Sequence, residues 1–358
     1  MKKLDIYIIK KFFGTFFLSL GLLIIIVIVF DISENIGDFL ENDAPLKAII
    51  FDYYLNFIPY FANLFSYLFV FISVIFFTSK MASNSEIIAI FSSGISFMRF
   101  LRPYITVAVF LAVLSYIMGN FIIPVTDAAR VEFKKKYIRN KVRSTDRNIH
   151  FQIKPGGFVY VYSFDVDRAK ARRFSLEQFD GNKLVYKLQS RRALWDSTKK
   201  SWRIQNYFVR EWKDGKEKFY KGKVLDTVIP LSPEDFIHHK DEINEMTLFD
   251  LNRAIAKEKL KGSPLVTKLE IEKQKRIAFP FATIIMTLIG VSIASKKRRS
   301  GMGLHLGMGL AFAFTYIFFM QISTVLSMNT GISPAIAVWI PNLIYTAIAF
   351  VLIRFAQK

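Results

Sequence analysis

Phe12–Phe30, FFGTFFLSLGLLIIIVIVF, contains no Asp, Glu, Lys or Arg, and it is long enough to decide the class of the fold. A bilayer's hydrocarbon core takes roughly 20 apolar residues of helix to cross. Lys2, Lys3, Lys10 and Lys11 precede the stretch, as in a secretory signal, but it exceeds the roughly 7–15 apolar residues of one. The residues that follow, Asp31-Ile32-Ser33-Glu34, offer no small-x-small cleavage site, so a retained anchor is expected. Five further charge-free blocks lie outward from it: Phe57–Phe77, Tyr104–Val125, Ile277–Ser295, Gly303–Met328 and Ile332–Ile353. One such block fits a buried core helix; six do not. The 358 residues are 52% hydrophobic with a net charge of +20, which would suggest nucleic acid only if the apolar residues were spread evenly. They are segregated, and nucleic acid is excluded as a partner. With no cysteine in the chain, disulfides, thiolate metal sites and cysteine nucleophiles are excluded as well.

Loop charge predicts the orientation. Four lysines against Asp5 precede the first block, whereas Asp31–Tyr54 carries six acids and only Lys47. The next loop holds Lys80, Arg99 and Arg102 against Glu86, and Lys296-Lys297-Arg298-Arg299 follows the fourth block. By the positive-inside rule both termini are expected in the cytoplasm. Between the third and fourth blocks, residues 126–276 hold 35 Lys and Arg against 21 Asp and Glu, a surplus of +14. Alternation puts this segment outside, which its charge does not forbid, because long domains translocate largely regardless of charge.

From Phe158 onward the insert reads as short strands. Asp180-Gly181-Asn182, Ser197-Thr198-Lys199-Lys200 and Asp214-Gly215 mark the turns between β-branched and aromatic runs. The expectation is an inserted extracytoplasmic all-β domain, jelly-roll-like, inside an α-helical polytopic membrane protein with six transmembrane helices. Tyr186, Trp195, Trp202, Tyr207, Phe208 and Trp212 fit a β core, or in part a groove for an apolar chain. Met246–Lys261 has helical spacing with a stop at Gly262 and Pro264, and Leu265–Arg276 continues into the fourth block. The expected boundaries are thus 1–125 for three spans with a short cytoplasmic helix at about 83–94, 126–245 for the β-domain, 246–276 for a helical connection, and 277–358 for the last three spans.

Catalytic signatures are missing. The sequence has no G-x-x-x-x-G-K-[ST] phosphate loop and no G-x-S-x-G nucleophile motif. His150, His238, His239 and His305 lack metal-ligand spacing, and the pair His238-His239 reads as a solvated loop. Gly303 and Gly307 have the small-xxx-small spacing of close helix packing. No enzyme, metal or bound cofactor is expected in this chain.

The loop Ser83-Asn-Ser-Glu86-Ile87-Ile88-Ala89-Ile90-Phe91-Ser92-Ser93-Gly94-Ile95-Ser96 predicts a short amphipathic helix. Ser83 or Asn84 would cap it, Glu86 would lie in its first turn, Ile87, Ile90 and Phe91 would share a face, and Gly94 would end it. The residues alone fit equally a helix resting on lipid or one that receives a partner.

Ser85-Glu86 through Ser96 resembles the S-E-x-x-A-x-x-x-S-G-x-S coupling helix of the LptF/LptG lipopolysaccharide export permeases. Met246-Thr247-Leu248-Phe249-Asp250-Leu251, Glu270–Arg276 before Pro280, Arg298-Arg299-Ser300-Gly301, and Ser333-Pro334 through Trp339-Ile340-Pro341-Asn342 follow in the family's order. The resemblance implies the membrane half of an ATP-binding-cassette exporter, paired with a sibling permease, with the length and single insert favouring the LptG side. It implies an LptB-like ATPase dimer that binds the ATP and receives Ser85, Glu86, Ala89, Ile90 and Gly94. It also implies LptC- and LptA-like periplasmic proteins that take lipopolysaccharide onward from the bacterial inner membrane. Where the family often carries lysines at the outer end of the first span, this chain has Asp31, Glu34 and Asp38. Arg130 and Lys134 are then the nearest candidates for contacts to lipid phosphates, or else part of a solvated basic run with Lys135 and Lys136. A membrane-anchored scaffold with a partner-binding β-domain and no ATPase is the alternative function.

Overall fold

A computed structural model describes residues 3–138, 147–165, 168–181, 183–213, 216–236, 242–260, 263, 265–296 and 301–356. Among the described residues six helices are long and apolar enough to cross a membrane: Lys3–Glu41, Leu46–Ser83, Phe97–Tyr137, Leu265–Ala294, Gly303–Thr330 and Pro334–Ala356, numbered the first to sixth spans. The chain divides into two compact units. Residues 1–139, 244–251 and 267–358 form the helical unit, and residues 140–243 and 252–266 form the other.

In the helical unit the second span is the hub. One side packs Val70, Val74, Phe77 and Met81 against Ile8, Phe12 and Phe16 of the first span and Phe100, Tyr104 and Val107 of the third. Its other side packs Phe71 and Ile75 against Ala282 and Met286 of the fourth span, Ala313 and Tyr316 of the fifth, and Val338 and Tyr345 of the sixth. Close approach to this hub depends on Gly290 and Gly309, where an added Cβ would press on Val74 and Phe71 or on Ile75. The packing role expected of Gly303 and Gly307 is not found, since nothing lies within 4 Å of a Cβ built at either. Helix spacing shows which residues share a face but not which face meets a neighbour.

Polar side chains tie the last three spans together. Asn342, buried in the sixth span, donates to the Ala278 carbonyl (2.9 Å) and accepts from the Tyr316 hydroxyl (2.9 Å). The Trp339 indole N–H donates to Gln274 Oε1 at 3.3 Å. Hydrogen bonds of this kind hold helices together where lipid supplies no hydrophobic drive.

Two spans contain π-helical turns, Ile49–Tyr54 in the second and Met118–Ile122 in the third. The first and third spans outrun their apolar blocks. The first stays helical to Glu41, and its first acid past the apolar block is engaged: Asp31 accepts from the hydroxyls of Tyr53 (3.2 Å) and Tyr54 (3.0 Å). The third continues as Ile123–Tyr137, so residue 126, expected to open the β-domain, lies within a helix of the membrane unit.

The other unit carries the sheet, together with residues 252–260 of the Leu248–Leu260 helix. Its strands are β1 Arg147–Lys154, β2 Gly157–Asp165, β3 Lys170–Asp180, β4 Lys183–Asp196, β5 Ser201–Lys213 and β6 Lys216–Thr227. All neighbouring pairs are antiparallel, in the order β1-β2-β3-β4-β5-β6. That is an up-and-down meander, not the interleaved order of the two Greek keys in a jelly roll. Turns fall where expected after Asp180 and Asp196, with Gly181 at φ 56°; Asn182, Asp214, Gly215, His238 and His239 lie outside the described residues.

One sheet face packs Val159, Val161, Phe174, Leu188 and Ile204 under Ile229, Leu231 and Phe236. Trp202, 1% exposed, sits at the centre and donates its indole N–H to the Leu231 carbonyl at 2.8 Å. Tyr186, Trp195 and Tyr207 pack against this core, whereas Phe208 is exposed and stacks on Phe219. Of the connection expected at 246–276, Leu248–Leu260 is a separate helix and the rest from Leu265 belongs to the fourth span; Gly262 and Pro264 lie outside the described residues.

Candidate coupling site and its family

The helix between the second and third spans runs Glu86–Ser92. The second span continues through Ser83, so neither Ser83 nor Asn84 caps the short helix. Ser85 takes the N-cap position in the left-handed conformation (φ 61°), and its side chain makes no capping hydrogen bond. The turn is therefore made by the backbone, and it swings the chain out of the second span into a new direction. At the other end Gly94 adopts φ 86°, a conformation that glycine takes without Cβ strain, and its N–H bonds the Phe91 carbonyl at 3.0 Å. Ser96 then caps the third span through Arg99 N–H.

Amphipathicity sorts the helix as expected. Ile87 is buried in the core shared by the first three spans, and Ile90 and Phe91 pack against it. Ile88 and Ala89 face outward, Ile88 at 49% exposure. Of the residues read as coupling contacts, Ala89 and Gly94 are exposed, Ser85 and Glu86 are half-buried, and Ile90 is half-buried with its side chain packed on the bundle.

Sequence reasoning missed the groups that tie this loop to the first span. Tyr7 donates its hydroxyl to Glu86 Oε2 at 2.8 Å, and Asn84 Nδ2 reaches Glu86 Oε1 at 3.4 Å. Arg99 grips Asp5 through both terminal guanidinium nitrogens, Nη1 donating to Oδ1 and Nη2 to Oδ2, each at 2.8 Å. The loop thus holds the opening turns of the first span from both of its ends, through partners 79 and 94 residues away in sequence. The one available signal was Asp5, a single acid among four lysines.

Arg130 is not a solvated cation. It is buried, ion-paired to Asp127 one helical turn earlier, and its guanidinium lies 5.9 Å from the Phe57 ring centre and 5.3 Å from that of Tyr60. Lys134, one turn further on, is half-buried. Among the described residues no group of three or more His, Asp or Glu could hold a metal ion.

A family model described as "Lipopolysaccharide export system permease LptF/LptG" matches residues 6–354. The chain belongs to the LptF/LptG family. No individually curated protein is a significant match to it. LptF/LptG proteins are transport permeases of the lipopolysaccharide export system and not enzymes, and they act in a complex with other Lpt proteins.

Two of the landmarks that carried the resemblance meet in space. Arg276 Nη1 donates to the Met246 carbonyl at 2.6 Å, and Arg276 Nε donates to Glu272 at 3.2 Å. Asp250 N–H in turn donates to Thr247 Oγ1 at 3.3 Å, capping the Leu248–Leu260 helix. The Trp339–Asn342 landmark is the polar joint of the last three spans described above. In these LptF/LptG signatures the polar side chains of Arg276 and Asn342 are engaged within the helical unit, while Phe249 and Ile336 of the same stretches stay exposed. Of the basic run after the fourth span, Lys297 to Ser300 lie outside the described residues.

Proposed function

We propose that this chain is one permease of an ATP-binding-cassette exporter that draws lipopolysaccharide out of the inner membrane, driven by an LptB-like ATPase dimer docked at the Glu86–Ser92 helix. The observation that carries the proposal is the double tether of that helix: a partner that displaces Glu86 also pulls on Tyr7, and Asp5–Arg99 holds the same turns from the other end. A helix merely resting on lipid needs neither tether. ATP closure in the partner would move the helix, and the tethers would pass the motion to the first span.

The first span is built to move against something other than its own chain. Only 17% of its most apolar window is buried, against 67% for the fourth span. Phe17, Leu18, Leu22, Ile25, Ile26, Val29 and Phe30 face away from the chain, as do Phe314, Phe318 and Val325 of the fifth span. Apolar faces of this extent suit a sibling permease and the acyl chains between the two. In this reading the termini are cytoplasmic, in keeping with loop charge, and the β-domain is periplasmic, where it hands lipid to LptC- and LptA-like proteins.

The test is Glu86→Arg in the purified complex. In this reading Glu86 meets a basic group of the ATPase; loss of one member of such a half-buried pair costs about 2–5 kcal/mol, and reversal adds repulsion, so ATPase assembly and ATP-driven lipid release should both fall. Unchanged assembly with unchanged release would sink the proposal in favour of a scaffold.

A further inference from the structure

Lys170, Arg172, Arg173, Arg191 and Arg192 gather with Tyr162 around a concavity of about 690 Å³ on β2, β3 and β4. Two departures from regular strand geometry bring them there. In β3, Ala171 and Phe174 are both buried, while Arg172 and Arg173 between them are both exposed. Strand residues alternate between faces, so two neighbours on one face require a backbone irregularity. Arg173 supplies it with φ 50°, a left-handed conformation that residues bearing a Cβ rarely adopt.

β4 repeats the pattern, with Ser190 and Ala193 buried and Arg191 and Arg192 exposed. Here a side chain fixes the kink: Ser190 Oγ accepts from Arg192 N–H at 3.0 Å and donates to the Gln205 carbonyl. The register then sets Arg172 opposite Arg192. Like charges directly opposite one another destabilise a sheet.

The sheet does not lack acids elsewhere. Lys187 pairs with Glu177 (2.9 Å), Arg203 with Asp226 (3.1 Å) and Arg210 with Glu217 (2.6 Å). Yet none of the five cations around the concavity makes an ion pair among the described residues, and Arg173 instead lies 4.9 Å over the Tyr162 ring. Backbone strain and opposed like charges both work against folding, and an anionic ligand would offset both.

We propose that this concavity binds the clustered phosphates of the glycolipid the exporter carries. The identification of the ligand as a glycolipid rests on the exporter reading; the anion site itself does not. Guanidinium groups grip phosphate oxygens in pairs, and here they project from adjacent strands about 5 Å apart. Spread over two strands around one hollow, they match a compact polyphosphorylated headgroup better than an extended acidic peptide, which would call for cations in a row along one edge. The outer end of the first span, with Asp31, Glu34, Asp38 and Glu41, offers phosphate no such welcome.

The experiment uses the full-length chain in non-ionic detergent with fluorescently labelled lipopolysaccharide, read by anisotropy. Arg172→Gln/Arg192→Gln should weaken binding roughly tenfold or more, as expected for the loss of charge-assisted hydrogen bonds. Its melting temperature should stay level or rise as repulsion is relieved, a result that a merely structural role would reverse. Lys187→Gln, on the same sheet but paired, should bind as the unaltered chain does. Enzymatically dephosphorylated lipopolysaccharide should bind weakly to every variant. Unaltered binding by the double variant, or equal affinity for the dephosphorylated lipid, overturns the proposal. Equal displacement by phosphatidylglycerol micelles overturns it in favour of a generic anionic surface, and stronger displacement by polyglutamate in favour of an acidic protein. No ATPase takes part, so failure of the Glu86 test leaves this result standing, and the reverse holds too.

Discussion

Replacing Asp127 by Asn separates two roles for Arg130. The two side chains are 0% and 6% exposed, and the guanidinium is hemmed in by Phe57 and Tyr60. Asn keeps the size of Asp127 and removes its charge, leaving a cation among aromatic rings. Breaking a buried pair in this one-sided way costs about 3–5 kcal/mol, since the remaining charge loses its compensation but not its desolvation. The Coulomb term for unit charges at ~4 Å with an effective dielectric of ~20 is about 4 kcal/mol, which falls in the same range. Asp127→Asn/Arg130→Met removes both charges and fills the space with an apolar chain, so it should recover most of the loss. Unfolding of the full-length chain in mixed micelles, followed through a double-mutant cycle, measures the coupling. If the double variant is as unstable as the two single losses added together, the pair is not coupled and the reasoning fails. If Arg130→Gln leaves stability untouched but lowers lipid release, Arg130 acts as a phosphate contact after all.

Other outcomes follow from single contacts. Tyr7→Phe removes the hydroxyl that meets Glu86 while keeping the ring, so ATP hydrolysis should persist while lipid release per ATP falls; unchanged coupling would show that the tether transmits nothing. Trp202→Phe leaves the Leu231 carbonyl without its indole donor and opens a gap among Phe164, Phe174 and Phe236, so the chain should lose about 1–3 kcal/mol or more of stability, measured by urea unfolding and intrinsic fluorescence.

The six spans were legible because a charge-free block of their length has one common use in a chain that holds six of them. Their ends were not. Hydropathy stops at Phe30, but the helix runs on to Glu41, with Asp31 engaged by Tyr53 and Tyr54 from beyond the intervening loop. β1 was missed although Ile149, Phe151 and Ile153 alternate across it, because Arg147, His150 and Lys154 dilute its apolar character. Periodicity found the inward face of the Glu86 helix, and its cap was misread because a left-handed Ser85 leaves no mark in composition. Arg130 looked solvated when read beside Lys134, Lys135 and Lys136, whereas its i−3 neighbour Asp127 was the residue that mattered. The contacts that make the coupling loop mechanical, Tyr7–Glu86 and Asp5–Arg99, join segments that only tertiary packing brings together.

The meander has a consequence for how the protein is made. Each strand hydrogen-bonds to the one synthesised just before it, so the order of emergence is also the order of assembly. A sheet of this kind can grow strand by strand at its newest edge, without waiting for a distant partner, and low sequence separation between contacts favours rapid folding. The inserted domain can therefore close on itself while the last three spans are still to be made. Spans synthesised before and after it are then left to find each other across a spacer that is already folded, not across a long unstructured loop.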